Sequence, residues 1–392
     1  MKYNIITYGC QMNESDSERI VKQLNQKGYQ ETKKIGLADL SIINICSVKQ
    51  SAINRVYSKI KKIRSQNPKT KIILTGCILK KDKQQFKDKV YEIWPIADFK
   101  NKPEYKSPKS ALIQRAWNKS AFLQSALIQR AWNKSAFLQS ALIPIMTGCN
   151  NFCSYCVVPY TRGREQSRSA KEIIKEIECL IKKEYKEIIL LGQNVNSYSF
   201  KVRPSQYKVR HNQVGTLRRR RKVPLDRSDI EQVNFPQLLQ LICDIPGNFT
   251  IKFLTSHPKD MSDELIGKIS KNEKISKEIH LPIQSGDNEI LKKMNRGYTV
   301  QDYKKLIKKI KKKIPQAKIS TDIIIGFPDE TEKQFQNTVN LVKEMNFTKA
   351  YVSAYSPRNG TNAAKLKDNI PANEKKRRKR ILRTVIKSKE RP

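Results

Sequence analysis

Thr147-Gly148-Cys149-Asn150-Asn151-Phe152-Cys153-Ser154-Tyr155-Cys156 sets three cysteines at the spacing C-x3-C-x2-C, directly after the apolar, strand-like run 142–146. Three thiolates at this spacing can hold three corners of an iron–sulfur cube, leaving the fourth iron open to a cofactor. Zinc is the competing metal. A closed zinc site wants a fourth Cys or His close by, and none lies in the loop. Outward from the loop, strand and helix patterns alternate. Strand patterns recur at 187–191, 250–254, 278–281, 318–325 and 349–354, with helical patterns at 170–183, 300–312 and 332–345. Such alternation predicts a parallel sheet, here of six βα units in an open sheet or partial barrel.

The first hundred residues repeat the theme. Strand patterns at 2–7, 40–45 and 71–75 alternate with a helix at 15–27, stopped by Gly28, and a basic amphipathic helix at 50–65. Cys10, Cys46 and Cys77 are far apart in sequence, yet each follows the end of a strand. Parallel strands finish at one edge, where ligands bind, so these thiols are expected to converge. Gly9 and Gly76 stand just before two of them, where the backbone must turn tightly. The competing reading is ordinary buried cysteine, which also suits Cys179 and Cys243 within helical apolar patterns. His257 and His280 lie near strand ends, where a satisfied polar position competes with a site role. His211 lies in a basic insertion and is read as inert.

The chain has 392 residues, enough for two or three domains, and a formal net charge of +42 from 78 Lys and Arg against 36 Asp and Glu. Such a charge points first to nucleic acid and second to an anionic membrane. No run of about 18 apolar residues offers a membrane span, and the N-terminus lacks a signal-peptide pattern. The expected location is the cytoplasm, where thiols stay reduced and eight cysteines suggest metal or catalysis. Residues 110–124 and 125–139 are identical. Two copies are too few for a solenoid, so 102–139 reads as a helical linker without chemistry. Residues 201–234 interrupt the βα pattern and contain Arg218-Arg219-Arg220-Arg221-Lys222, which suits either nucleic-acid contact or a solvated loop. A second basic run, at 375–380, opens a last helix.

Taken together, the motifs resemble the radical S-adenosylmethionine tRNA methylthiotransferase family. The cysteine loop continues as Val157-Val158-Pro159-Tyr160-Thr161-Arg162-Gly163-Arg164-Glu165. Upstream stand Tyr8-Gly9-Cys10-Gln11-Met12-Asn13, then Asp16-Ser17-Glu18, Asn44-Ile45-Cys46-Ser47-Val48 and Thr75-Gly76-Cys77. Downstream are Leu191-Gly192-Gln193-Asn194-Val195-Asn196-Ser197-Tyr198, Leu281-Pro282-Ile283-Gln284-Ser285-Gly286, Met294-Asn295-Arg296-Gly297-Tyr298 and Thr321-Asp322-Ile323-Ile324-Ile325-Gly326-Phe327-Pro328. The resemblance covers nearly the whole chain except about 102–139 and 200–234, and is strongest to the branch acting on isopentenyladenosine.

The resemblance implies an α/β fold: a Rossmann-like N-terminal methylthiotransferase domain (1–101), the linker 102–139, a partial (β/α)6 radical S-adenosylmethionine barrel (140–372) carrying the insertion 201–234, and a basic C-terminal helix (373–392). It implies two 4Fe-4S clusters, one on Cys149, Cys153 and Cys156 that cleaves S-adenosylmethionine, and an auxiliary one on Cys10, Cys46 and Cys77. The expected reaction is methylthiolation at C2 of an isopentenylated adenosine beside the tRNA anticodon, served by an electron donor and a sulfur source. Gln193, Asn194, Gln284, Ser285 and Asp322, near strand C-termini, are candidate S-adenosylmethionine contacts. Tyr160, Arg162 and Arg164 are candidate RNA contacts or structural pairs. The family pattern closes with a small β-barrel RNA-binding domain. This chain stops at Pro392 without a strand-rich tail of about 60 residues, so that domain is expected to be missing. Alternatives are a methylthiotransferase for threonylcarbamoyladenosine in tRNA or for a ribosomal protein, and a non-catalytic iron–sulfur RNA-binding protein.

Overall fold

The computed structural model describes residues 1–46, 50–95, 140–202 and 231–390. The repeat at 110–139 and the arginine run at 218–222 lie outside them.

The N-terminal unit is a five-stranded parallel sheet in the order β2-β1-β3-β4-β5. Its elements are β1 (Lys2–Tyr8), α1 (Gln11–Gln26), β2 (Gln30–Glu31), β3 (Leu40–Cys46), α2 (Gln50–Gln66), β4 (Lys71–Cys77), α3 (Lys80–Phe86) and β5 (Glu92–Pro95). The apolar run of β3 is buried from Leu40 to Ile45, as a central strand covered on both faces must be. In α2, Ile53, Val56, Ile60 and Ile63 recur at helical spacing and pack under the sheet, while Arg55, Lys61 and Lys62 face solvent.

The second unit opens with β6 (Ser140–Pro144) and β7 (Met146–Thr147), followed by the short helix α4 (Val158–Thr161), β8 (Gln166–Ser167), α5 (Ala170–Ile181) and β9 (Glu187–Leu191). Next come β10 (Ser199–Val202), β11 (Glu231–Asn234), α6 (Phe235–Cys243), β12 (Thr250–Phe253), α7 (Asp263–Lys271) and β13 (Glu278–His280). The chain then runs through α8 (Asn288–Lys293), α9 (Val300–Lys313), β14 (Lys318–Ile325), α10 (Glu332–Met345), β15 (Lys349–Ala354) and α11 (Ala372–Glu390). Two parallel triplets form, β12-β9-β6 and β13-β14-β15. The bridge Ile251↔Ile275 joins them, so six strands make an open, partial barrel. The expected strands fall where the apolar runs are, with ends shifted by two residues or fewer.

Local signals explain the helices around the barrel. Asn234 with Gln237, Thr299 with Asp302, and Thr331 with Gln334 form reciprocal capping boxes at the starts of α6, α9 and α10. Two antiparallel ribbons interrupt the βα rhythm. The β10–β11 ribbon flanks the basic insertion, and the β7–β8 ribbon closes the base of the cysteine loop.

The last helix is basic, but not all of its cations face outward. Arg378 is buried, and its Nη1 donates to the Glu330 Oε2 at 2.7 Å and to the Glu330 carbonyl at 2.9 Å. Burial raises the Glu330 carboxyl above its ordinary pKa while Arg378 opposes the rise. Arg378→Ala strands a carboxylate in the core and should cost about 3–5 kcal/mol at neutral pH. A raised folded-state pKa favours the neutral acid, so the loss should be smallest at low pH and grow as pH rises through that pKa. Urea unfolding at pH 5 and pH 8 checks both the size and the sign.

Candidate functional site

At the C-terminal edge of the N-terminal sheet, Cys46 and Cys77 are register partners on β3 and β4, and Cys10 lies two residues beyond β1. The Cys46 thiol hydrogen-bonds those of both Cys10 and Cys77. Three residues scattered in sequence thus meet because parallel strands end together.

A buried amide network shapes this edge. Asn13 Nδ2 donates to Asn44 Oδ1 (2.9 Å) and the Ile45 carbonyl (3.2 Å). Asn44 Nδ2 donates to the Asn13 carbonyl (2.8 Å) and Ser17 Oγ (2.9 Å). The Cys10 thiol donates to Asn13 Oδ1 at 3.4 Å. The glycines leave room for it. A Cβ on Gly9 would lie 2.4 Å from Asn13 Cγ, and one on Gly76, at φ +106°, would lie 2.2 Å from the Ile45 carbonyl oxygen.

The second trio is held on a loop that its own ends stitch together. Met146 and Thr147 pair with Ser167 and Gln166, and Cys149 N donates to the Gly163 carbonyl at 3.2 Å. Within the loop, Cys156 N donates to the Cys153 carbonyl at 2.9 Å. The 294–298 segment supports it from the barrel. Asn295 Nδ2 donates to the carbonyls of Asn151 (3.3 Å) and Phe152 (3.1 Å), and Ser154 N donates to the Met294 carbonyl at 3.0 Å. The buried Arg296 donates from Nη1 to Cys153 Sγ (3.3 Å), from Nη2 to the Pro282 carbonyl (3.0 Å) and from Nε to Tyr298 Oη (2.8 Å).

The two trios differ electrostatically. Its hydrogen bond with Cys46 is the largest influence pulling the Cys10 thiol down to about 6, with Arg162 adding its positive charge. Cys77 is lowered by Cys46 and then by Arg162. In the barrel, burial pushes Cys156 up to about 12 and raises Cys149. At Cys10 and Cys77 the neighbouring thiol of Cys46, with Arg162, outweighs burial; at Cys149 and Cys156 burial outweighs the groups that oppose it.

Among the described residues, no three His, Cys, Asp or Glu side chains close around a single metal ion. A cube is larger than one ion, and its thiolates stand on different irons. Three convergent thiols beside a hydrogen-bonding arginine, twice over, suit that donor set. Gln193 Oε1, Asn194 Oδ1, Ser256 Oγ and Gln284 Oε1 are buried oxygens without a hydrogen-bond partner. Such groups are costly unless a ligand satisfies them.

The expected site residues fall into different surroundings. Asn194 is held by Asp260 (Nδ2 to Oδ2, 2.6 Å). Gln284 sits at φ +76° and is bridged to Ile323 on β14. Ser285 is fully buried against Thr338 (Oγ to Oγ1, 3.4 Å), a packing position. Asp322 Oδ2 lies 3.2 Å from His280 Nε2, whose Nδ1 is 2.9 Å from Ser320 Oγ. Tyr160 is 50% exposed, edge-on to Phe152, and the exposed Arg164 stacks on the same ring at 4.3 Å. Arg162 differs from its neighbours. It is buried, donating from Nη2 to Asp16 Oδ2 at 2.8 Å and from Nε to Cys77 Sγ at 2.9 Å. It joins the two units and is not an open RNA contact. His257 is buried, and desolvation followed by the Arg296 charge pushes it down to about 2, so it is neutral.

Asn13, Asn44, Asn295 and Arg296 have supporting roles that sequence reasoning did not assign. Each lies inside a motif already quoted, but only contacts distinguish a support from a ligand.

The model of the radical SAM superfamily matches residues 143–342, and that of the uncharacterized protein family UPF0004 matches residues 2–96. The fold has solved counterparts. The radical S-adenosylmethionine methyltransferase TsrM of Kitasatospora setae superposes with a TM-score of 0.58 at 11% identity, over 93% of this chain and 75% of that one. The cobalamin-dependent S-adenosylmethionine radical enzyme OxsB, with aqua-cobalamin bound, gives 0.52 at 10% identity, over 98% and 56%. These identities speak to fold alone. The chain is a radical SAM protein.

Curated relatives narrow the class. The tRNA-2-methylthio-N(6)-dimethylallyladenosine synthase of Clostridium novyi (strain NT) is 41% identical over 388 residues, covering 95% of this chain and 78% of the relative. That of Caldicellulosiruptor saccharolyticus is 39% identical over 398 residues, covering 98% and 77%. The chain belongs to the family of tRNA-2-methylthio-N(6)-dimethylallyladenosine synthases.

Gly76→Ala tests the crowded edge. The new methyl meets the Ile45 carbonyl, and the positive φ is strained for any side chain. We expect a loss of at least about 1–3 kcal/mol and less iron retained per chain. Chemical denaturation and iron assay read the two effects.

Proposed function

We propose that this chain is a radical S-adenosylmethionine methylthiotransferase that installs a methylthio group at C2 of N6-isopentenyladenosine next to the anticodon of tRNA. The observation that carries the reading is the pair of three-cysteine sets, one per α/β unit, with Arg162 running from the loop of one to a thiol of the other. Membership of the family supports the substrate.

Cys149, Cys153 and Cys156 would hold one 4Fe-4S cluster, and Cys10, Cys46 and Cys77 the other. When bound, these clusters supply reductive cleavage of S-adenosylmethionine and delivery of sulfur to a carbon that acid–base groups cannot activate. The protein's own task is position and exclusion of water. Asn295 and Arg296 fix the cysteine loop against the barrel. Gln193, Asn194 and Gln284 carry buried oxygens able to take a polar cofactor, with Ser256 added to the expected set and Ser285 assigned to support. Asp322 is a candidate contact paired to His280. Neutral His257 adds no charge beside Arg296.

Tyr160 and Arg164 are exposed near the loop and suit stacking and phosphate contact. The +42 charge favours RNA, and a base in an anticodon loop can be unstacked and presented. We assign 1–101 to the auxiliary-cluster domain, 102–139 to a linker, 140–372 to the barrel domain with the insertion 201–234, and 373–392 to the basic terminal helix. The reaction further requires an electron donor and a sulfur source. Among the described residues no helix is long and apolar enough to cross a membrane, and the cytoplasm suits a tRNA substrate and reduced thiols.

Two measurements test the reading. Nucleoside mass spectrometry of a strain lacking this gene should show 2-methylthio-isopentenyladenosine replaced by isopentenyladenosine. Its persistence without a second such gene overturns the substrate, and loss of a methylthiolated threonylcarbamoyladenosine instead selects the sister reaction. Anaerobic iron and sulfide assay should give about eight irons per chain, falling to about four in the Cys10/Cys46/Cys77→Ala variant.

A further inference from the structure

We propose that Arg162 is a positioning residue that reaches from the radical loop into the N-terminal unit to orient and polarise Cys77, and so sets the reduction potential of the cluster held there. The inference rests on the reading of Cys10, Cys46 and Cys77 as cluster ligands.

Arg162 caps α4, six residues past Cys156. Its side chain is 3% exposed and that of Asp16 10%. A guanidinium in such a place is costly unless its donors are matched. Two are matched here, and both acceptors belong to the other unit. Nη2 meets Asp16 on α1, the helix that starts directly after Cys10, and Nε meets the sulfur of Cys77. The planar fork fixes both directions at once, which a lysine ammonium does not. Arg162 therefore ties the helix behind Cys10 to the sulfur of Cys77, across the junction of the units.

The electrostatic consequence has a definite sign. Reduction adds negative charge to the cluster and its thiolates. An N–H aimed at a ligand sulfur, carrying a positive charge away from water, stabilises the reduced state and raises the potential. Arg358 is a second buried cation facing this trio, near Cys46 and Asp82. Arg162 bonds a thiol of this trio directly, Nε to Cys77 Sγ at 2.9 Å. The barrel trio has its counterpart in Arg296 on Cys153, donated from within the same unit. Arg162 differs from Arg296 in that both of its side-chain acceptors, Asp16 and Cys77, lie in the other unit.

The test uses the full chain with Cys149, Cys153 and Cys156 changed to Ala, leaving one cluster to observe. Its midpoint is read by electron paramagnetic resonance during redox titration, alongside iron per chain. In this background we compare Arg162→Lys and Asp16→Asn/Arg162→Gln. The double variant removes both members of the ion pair, so no unpaired charge is buried. We expect the midpoint to become more negative in the order parent, Arg162→Lys, double variant. A fully loaded double variant with an unmoved midpoint overturns the proposal. Should the double variant not fold, Arg162→Lys decides, and an unmoved midpoint there overturns it equally. A parent without iron removes the cluster reading itself, and the role of Arg162 with it, an outcome distinct from a loaded cluster whose potential stays put.

Discussion

Strands of a parallel sheet all finish at one edge, and the N-terminal unit crowds three thiols onto that edge. Everything else there accommodates the crowding. Gly9 and Gly76 remove the methyl groups that would collide with Asn13 and the Ile45 carbonyl. Asn13 and Asn44 satisfy one another and the strand ends in a space closed to water. Arg162 and Arg358 bring positive charge to the edge where these thiols meet.

The barrel solves a different problem. Its cysteines are on a loop, and a loop of this length has no strand register to position it. The β7–β8 ribbon clamps the ends, while Asn295 and Arg296 hold the middle through backbone carbonyls and the Cys153 sulfur. The loop is thus as constrained as an element of regular structure. Not every buried polar group of the barrel is matched: Gln193, Asn194, Ser256, Gln284, Glu330 and Tyr355 each keep a side-chain oxygen without a hydrogen-bond partner.

Between the units, the contact through Arg162 is directional. Apolar packing would tolerate sliding, whereas a buried fork between a carboxylate and a thiol does not. The segment that carries Tyr160 and Arg164 outward carries Arg162 inward, so one short stretch presents a surface and tethers a domain.

Residue order alone pointed to the six barrel strands and a parallel N-terminal sheet, because apolar runs between helical patterns leave a parallel sheet as the economical solution. Spacing alone singled out Cys149, Cys153 and Cys156 as a set. For Cys10, Cys46 and Cys77 the reading needed the sheet, and the register Cys46↔Cys77 is a property of the fold. Tertiary structure alone decided the partners of side chains that look alike in sequence. Arg162 and Arg164 are two residues apart, yet one is buried on Asp16 and Cys77 while the other stacks on Phe152 in the open. Ser285 and Gln284 are adjacent, yet one packs against Thr338 and the other keeps an unmatched oxygen. The reason is physical: a motif specifies local backbone and donor chemistry, but a polar side chain's role depends on which distant group meets it, and that is settled only when the strands and helices pack.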